Sequence, residues 1–157
     1  MTLDCSRIVS IDGCEAYAVL FTQLCPPALP IEVPCPVIDI TITQTSSRIT
    51  YVNYEVLRQF SDIIHEYLLV NDVIMMYLCD NSEIMRRKQD ISPQAYRSSL
   101  FSALARRKKD QNIVREDIKL IDRSTGSEVD YFASVFAKKN RHSAVIALSK
   151  AITDMEK

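Results

Sequence analysis

Asp80, Glu83 and Lys88 are the side chains whose types and spacing come nearest to a hydrolytic centre. Convergent carboxylates hold a divalent cation, and a neighbouring lysine steadies a developing anion. Asp80 leads this set because it ends the apolar run Val73 to Asp80, while Asp72 flanks the other end. The following Asn81-Ser82 also makes Asp80 an ordinary turn residue, a role that needs no metal. Behind it come Arg86-Arg87-Lys88, then Arg97, then Arg106-Arg107-Lys108-Lys109. Such groups bind phosphates by charge and hydrogen bonding, and a ring such as Tyr77 or Tyr96 can stack on a base. The candidate ligand-binding residues are therefore Tyr77, Asp80, Arg86, Arg87, Lys88 and Arg97. From Arg86 to Lys109 eight basic residues face one acidic residue, Asp90, so the segment carries +7 and the remainder −8. A solvated turn at 86–88 and a solvated helix end at 106–109 account for the same charges without a ligand.

Other chemistries find little support. The only glycines are Gly13 and Gly126, which excludes a phosphate-cradling P-loop or a dinucleotide fingerprint. His65 and His142 fall on separate predicted helices, without metal-type spacing. No Gly-x-Ser-x-Gly elbow is present, and no cysteine stands in a nucleophile motif. Cys5, Cys14, Cys25, Cys35 and Cys79 are odd in number and contain no Cys-x-x-Cys pair. They are expected to be free thiols packed as small hydrophobes, with a zinc site from widely spaced cysteines as the minor alternative. No catalytic residue, metal or cofactor is expected.

The elements that must position these residues follow from periodicity. Val73 to Asp80 is too short for a membrane span and suits a strand buried on both faces, delivering the chain into its most basic region. Arg7 to Ile11 and Cys14 to Thr22 predict a hairpin around Asp12-Gly13, a pair suited to a type I′ turn. Tyr17, Val19 and Phe21 share one face of its second strand. Leu24 to Pro36 contains five prolines, so it predicts an extended connection crossing the sheet end rather than an SH3-type ligand. Val37 to Thr43 alternates, with Ile38, Ile40 and Ile42 on the dry side and Asp39, Thr41 and Thr43 on the wet side. A helix is predicted from an Asn53 cap to about Val70, with Leu57, Phe60, Ile64, Tyr67 and Leu68 as its stripe and Val52 stapled onto Leu57.

A second helix is predicted from Ser92-Pro93 to about Lys108, with Tyr96, Leu100, Phe101 and Leu104 inward. Ile113 to Asp122 and Glu128 to Lys138 predict another hairpin around Ser124-Thr125-Gly126-Ser127, with Tyr131, Phe132 and Phe136 in the core. Asn140 is expected to cap a last helix whose stripe is Val145, Leu148, Ile152 and Met155. The order β-β-β-α-β-α-β-β-α predicts an α+β fold: a mixed, largely antiparallel sheet with helices packed on it.

The length of 157 residues suits one domain, residues 1–157. A composition of 47% hydrophobic and 25% charged residues with net charge −1 is that of a soluble globular protein, with no global field drawing nucleic acid or a membrane. The N-terminus lacks a basic, then apolar, leader pattern, so a cytoplasmic location is expected.

Met76-Tyr77-Leu78-Cys79-Asp80, the arginine-rich turn, the Leu100-Phe101 helix and Tyr131-Phe132-Ala133-Ser134 occur in an informative order. With the Tyr17 to Phe21 strand, this order resembles a family of small uncharacterised bacterial proteins, a domain of unknown function. In that family a Leu-Tyr-x-Cys-Asp strand end precedes a Gly-Arg turn, an Arg-x-Leu-Phe helix and a Tyr-Tyr-Ala-Ser-type strand. The resemblance spans roughly Glu15 to Lys157 and departs at Asn81 to Ile91, which is longer and has no glycine; the chain also has no tryptophan. It implies a bacterial α+β domain and no particular activity.

The leading functional expectation is a non-catalytic interaction or regulatory module with a protein partner or a second copy, and no membrane. The alternative is binding of nucleic acid or a phosphorylated ligand through residues 86–109, and a weaker one is a metal-dependent hydrolase centred on Asp80.

Overall fold

The structure, a computed structural model, describes residues 3–26, 28–45, 54–79, 112–123, 126 and 129–155. Strands β1 (Cys5–Ile11) and β2 (Cys14–Leu24) form the first hairpin. Its two turn residues have positive φ, +51° at Asp12 and +77° at Gly13, as a type I′ turn requires. Strand β3 (Val37–Gln44) runs antiparallel to β2. Helix α1 (Tyr54–Val70) then crosses to β4 (Ile74–Cys79), which lies parallel to β3. Strands β5 (Ile113–Asp122) and β6 (Val129–Lys138) make the last hairpin, and β6 inserts beside β4. The sheet order is β1-β2-β3-β4-β6-β5. After a 3₁₀ turn at Lys139–Arg141, α2 (His142–Asp154) completes the described fold. It is the expected α+β architecture with a mixed sheet.

The two described helices pack on opposite faces. On one, Val9, Val19, Phe21, Ile38 and Met75 meet Val56, Phe60, Ile64 and Leu68 of α1. On the other, Val37, Ile74, Ile118 and Val135 meet Val145 and Leu148 of α2. Ile74 and Met75 are adjacent in sequence and both fully buried, one in each cluster. That explains why β4 reads as an unbroken apolar run: neither face can be polar. Strand β3 follows its expected alternation only in part: Ile38 and Ile40 are buried toward α1 and Thr41 is exposed, but Asp39 and Thr43, expected on a wet side, are half-buried, because Val37 on that face is buried in the α2-side core. In the first hairpin the register steps from Val9–Tyr17 to Ser10–Glu15, leaving Ala16 as the extra residue of a β-bulge. Ala16 and Tyr17 thus both reach the α1-side core, and the Ala16 carbonyl accepts the Thr45 N–H at 2.9 Å.

Several expectations are corrected. Strands β1 and β2 extend to Cys5 and Leu24, beyond the predicted Arg7 and Thr22. Asn140 lies in the 3₁₀ turn, and α2 begins after Arg141 without a side-chain cap. Met155 is exposed, whereas Ser149 is buried on the inner side of α2, because the helix ends before Met155 reaches the sheet. The proline-rich segment does more than cross the sheet end: Leu29, Ile31, Val33 and Cys35 pack against the α2-side core. The segment is not the extended connection expected: the Ala28 N–H donates to the Cys25 carbonyl at 2.9 Å, and the chain bends at 28–31 and again at 34–35. Cys14 and Cys25 are free and exposed rather than packed, while Cys5 and Cys35 are half-buried. The predicted helix at Ser92 to Lys108, the Asn53 cap and the Val52 staple lie outside the described residues.

Candidate functional site

Of the six predicted ligand-binding residues, only Tyr77 lies within the described structure; Asp80, Arg86, Arg87, Lys88 and Arg97 lie outside it, as do Glu83 and Tyr96. Tyr77 is 3% exposed, with Phe136 beside it at a ring distance of 6.3 Å. Its ring therefore has no open face for a base. Its hydroxyl accepts a hydrogen bond from Arg115 Nη2 at 3.1 Å. The same guanidinium donates through Nε to Asp117 Oδ1 at 2.8 Å and to Ser134 Oγ at 3.0 Å. Ser134 in turn donates to Asp117 Oδ1 at 2.8 Å. Register explains the gathering: Ser134 pairs with Tyr77 on one side and with Asp117 on the other, and Arg115 stands two residues from Asp117 on the same face. Ser134 is completely buried, so its hydroxyl satisfies charged neighbours rather than facing a substrate.

A cleft opens at the other end of the sheet. It lies between β1 and the C-terminal half of α1, with a volume of about 290 Å³. Leu3, Phe21, Ile63, Tyr67 and Val70 give it an apolar lining, and Cys5, Arg7, Glu66 and Asn71 supply polar groups. The Tyr67 ring stacks on Phe21 at 4.1 Å, and its hydroxyl donates to the Leu3 carbonyl at 2.8 Å. Desolvation, helped by the nearby Cys5 and Asp4, pushes the phenol up to about 12. Tyr67 is thus a neutral hydrogen-bonding and packing group at physiological pH, unsuited to proton transfer. At the other end of β1, α1 closes on the strand. Gln59 Nε2 donates to the Ser10 carbonyl at 2.9 Å, and Gln59 Oε1 accepts the Ser10 N–H at 3.2 Å. One carboxamide therefore bonds both backbone groups of a residue in a terminal strand of the sheet, as a peptide unit of an adjoining strand would.

Burial shifts two further groups among the described residues. Burial pushes the Asp39 carboxyl above its ordinary range, partly opposed by a 3.0 Å hydrogen bond from Thr41 Oγ1. Burial likewise raises the Cys35 thiol, although Arg141 opposes it. Arg58 bridges Glu55 and Asp62 on the exposed side of α1. Among the described residues no three or more His, Cys, Asp or Glu side chains gather closely enough to hold a metal ion. No described helix is long and apolar enough to cross a membrane.

The cleft residues were absent from the sequence-based candidates. Their only sequence signals were the alternation of Cys5, Arg7 and Val9 and the stripe of α1. Neither says that α1 lies along β1. No protein-family model matches the chain, and neither a curated protein nor a solved structure was found to match it.

Proposed function

We propose that this protein is a non-catalytic, cytoplasmic interaction module whose partner-binding surface is the cleft between β1 and α1. The observation that carries this reading is the form of that cleft: apolar lining residues open beside a terminal strand, with charged residues among those around it. Val70, at the end of α1, is 75% exposed and forms an apolar rim of the cleft that contact with a partner would cover. Filling the cleft with Ile63→Trp tests this. Partners retained by the wild-type protein in a quantitative pull-down and lost with a folded Ile63→Trp variant would support the reading. An unchanged set of partners would remove the cleft as the surface, and no retained partner would remove the interaction role.

A second reading comes from the +7 charge of residues 86–109, which favours nucleic acid or a phosphorylated ligand bound through Arg86, Arg87, Lys88 and Arg97. Its test is nucleic-acid binding at low and physiological salt, for the wild type and Arg86→Glu/Arg87→Glu. Binding that falls steeply with salt and vanishes in the variant supports it. No binding at low salt overturns it.

A further inference from the structure

We infer that the β1 edge takes an extended peptide segment as an added strand. An apolar side chain of that peptide enters the cleft, an acidic residue lies beside Arg7 and a basic residue lies toward Glu66. This rests on the cleft being the interaction surface and specifies what occupies it.

The backbone of β1 supplies the first reason. Ile11 and Cys14 flank the two-residue turn and bond to each other, so the N–H and C=O of Ile11 point toward β2. Alternation then turns the backbone groups of Ser6, Ile8 and Ser10 away from β2, toward the outer edge. The Gln59 carboxamide on both groups of Ser10 confirms this direction. Gln59 caps the edge at one end, while Ile8, two residues on, presents a donor and an acceptor at the spacing a strand requires, with no partner outside β2 among the described residues. Its side chain is also half-exposed.

The cleft supplies the second reason. Leu3, Cys5 and Arg7 turn their side chains toward α1 and line it. A strand added along β1 would send every second side chain to that same face, beside the opening. Edge hydrogen bonds and a side-chain pocket are thus next to each other, the two components of recognition by strand addition.

Charge supplies the third reason. Among the described residues the Arg7 guanidinium has one hydrogen-bond partner, the Ser6 carbonyl at 3.0 Å, and no carboxylate. Glu66 lines the same cleft without an ion-pair partner among the described residues. A peptide bearing both signs around its apolar residue complements this pair.

The test uses fluorescein-labelled extended peptides with a central Val, Ile, Leu or Phe, flanked at the second position on either side by Asp and Lys, by Lys and Asp, or by Ser and Ser. Fluorescence anisotropy should show one charged arrangement binding at least about fivefold more tightly than the Ser peptide. Arg7→Glu should abolish that preference. Ile8→Pro removes an outward N–H that pairing with β2 does not use, and should weaken binding about tenfold. If Ile8→Pro does not fold, N-methylating alternate peptide bonds of the ligand removes the same ladder using wild-type protein, with the same loss expected. Binding unaffected by either change overturns strand addition. A preference unchanged in Arg7→Glu overturns the charge assignment. No peptide binding alongside a cleft-dependent pull-down leaves the interaction reading standing and overturns the extended-peptide occupant. Self-association that Ile8→Pro dissolves makes a second copy the occupant and overturns the proposal equally.

Discussion

Arg141 holds Asp72 by two parallel hydrogen bonds, Nε to Oδ1 at 3.0 Å and Nη2 to Oδ2. The pair joins the α1–β4 connection to the turn before α2, elements on opposite faces of the sheet. Lys138 Nζ adds a bond to the Leu69 carbonyl at 3.1 Å in the same region. The hydrogen bonds from Arg141 hold the Asp72 carboxyl below the usual carboxylate range. A depressed folded pKa contributes stability above the unfolded value of about 3.9, and that contribution is lost as pH falls through the lower folded value. The melting temperature of Asp72→Asn should therefore lie below that of wild type at pH 7, and the gap should close in acid. Because Asp72 is exposed to solvent and Arg141 only partly covered, the gap should also narrow in 1 M salt.

Asp39 should behave in the opposite sense. Burial raises its folded pKa, so its contribution is most favourable below the unfolded value and is lost as pH rises through the folded one. Asp39→Asn should raise the urea midpoint at pH 7 and leave it nearly unchanged near pH 3. A lower midpoint at pH 7 would show that the charged carboxylate is satisfied where it stands.

The network around Arg115 predicts a graded series. Ser134→Ala removes a fully buried hydroxyl that serves both Arg115 and Asp117, and should cost about 1–3 kcal/mol in denaturant unfolding. Tyr77→Phe removes one acceptor while Arg115 keeps its bonds to Asp117 and Ser134, and should cost about 1 kcal/mol. A double-mutant cycle between Ser134→Ala and Asp117→Ala should give a clear coupling energy, because the two share a hydrogen bond that each substitution removes.

Phe60→Ala should be among the most damaging core substitutions, at about 3–5 kcal/mol. Phe60 is 1% exposed and meets Tyr17 edge-on at 5.5 Å, beneath the middle of α1. Equilibrium unfolding would show the loss as a lower midpoint with an unchanged slope.

At the first hairpin, Gly13→Ala should cost about 1–2 kcal/mol from its left-handed backbone alone. An added Cβ would have no atom within 4 Å, so steric conflict with neighbours contributes nothing. Asp12→Asn should be nearly neutral, since both residues tolerate the positive φ found there.

Local chemistry determined much of this fold. Positive φ at two consecutive positions made Asp12-Gly13 a recognisable turn, and the period of Ile38, Ile40 and Ile42 set which side of β3 is dry. The apolar run of β4 likewise reflected two buried faces. These properties depend on near neighbours, so they can be read along the chain. The candidate site cannot be read that way. Tyr77 looked available because it precedes a basic segment, but its register with Ser134 and its bond to Arg115 place it in the core. The charge of residues 86–109 is a property of composition, and those residues lie outside the described structure. The cleft joins Leu3 to Tyr67 across more than sixty residues, and the edge clip joins Ser10 to Gln59. Sequence periodicity gave α1 its apolar stripe; only tertiary packing decided which strand it lies along, because that choice is made by contacts between distant residues.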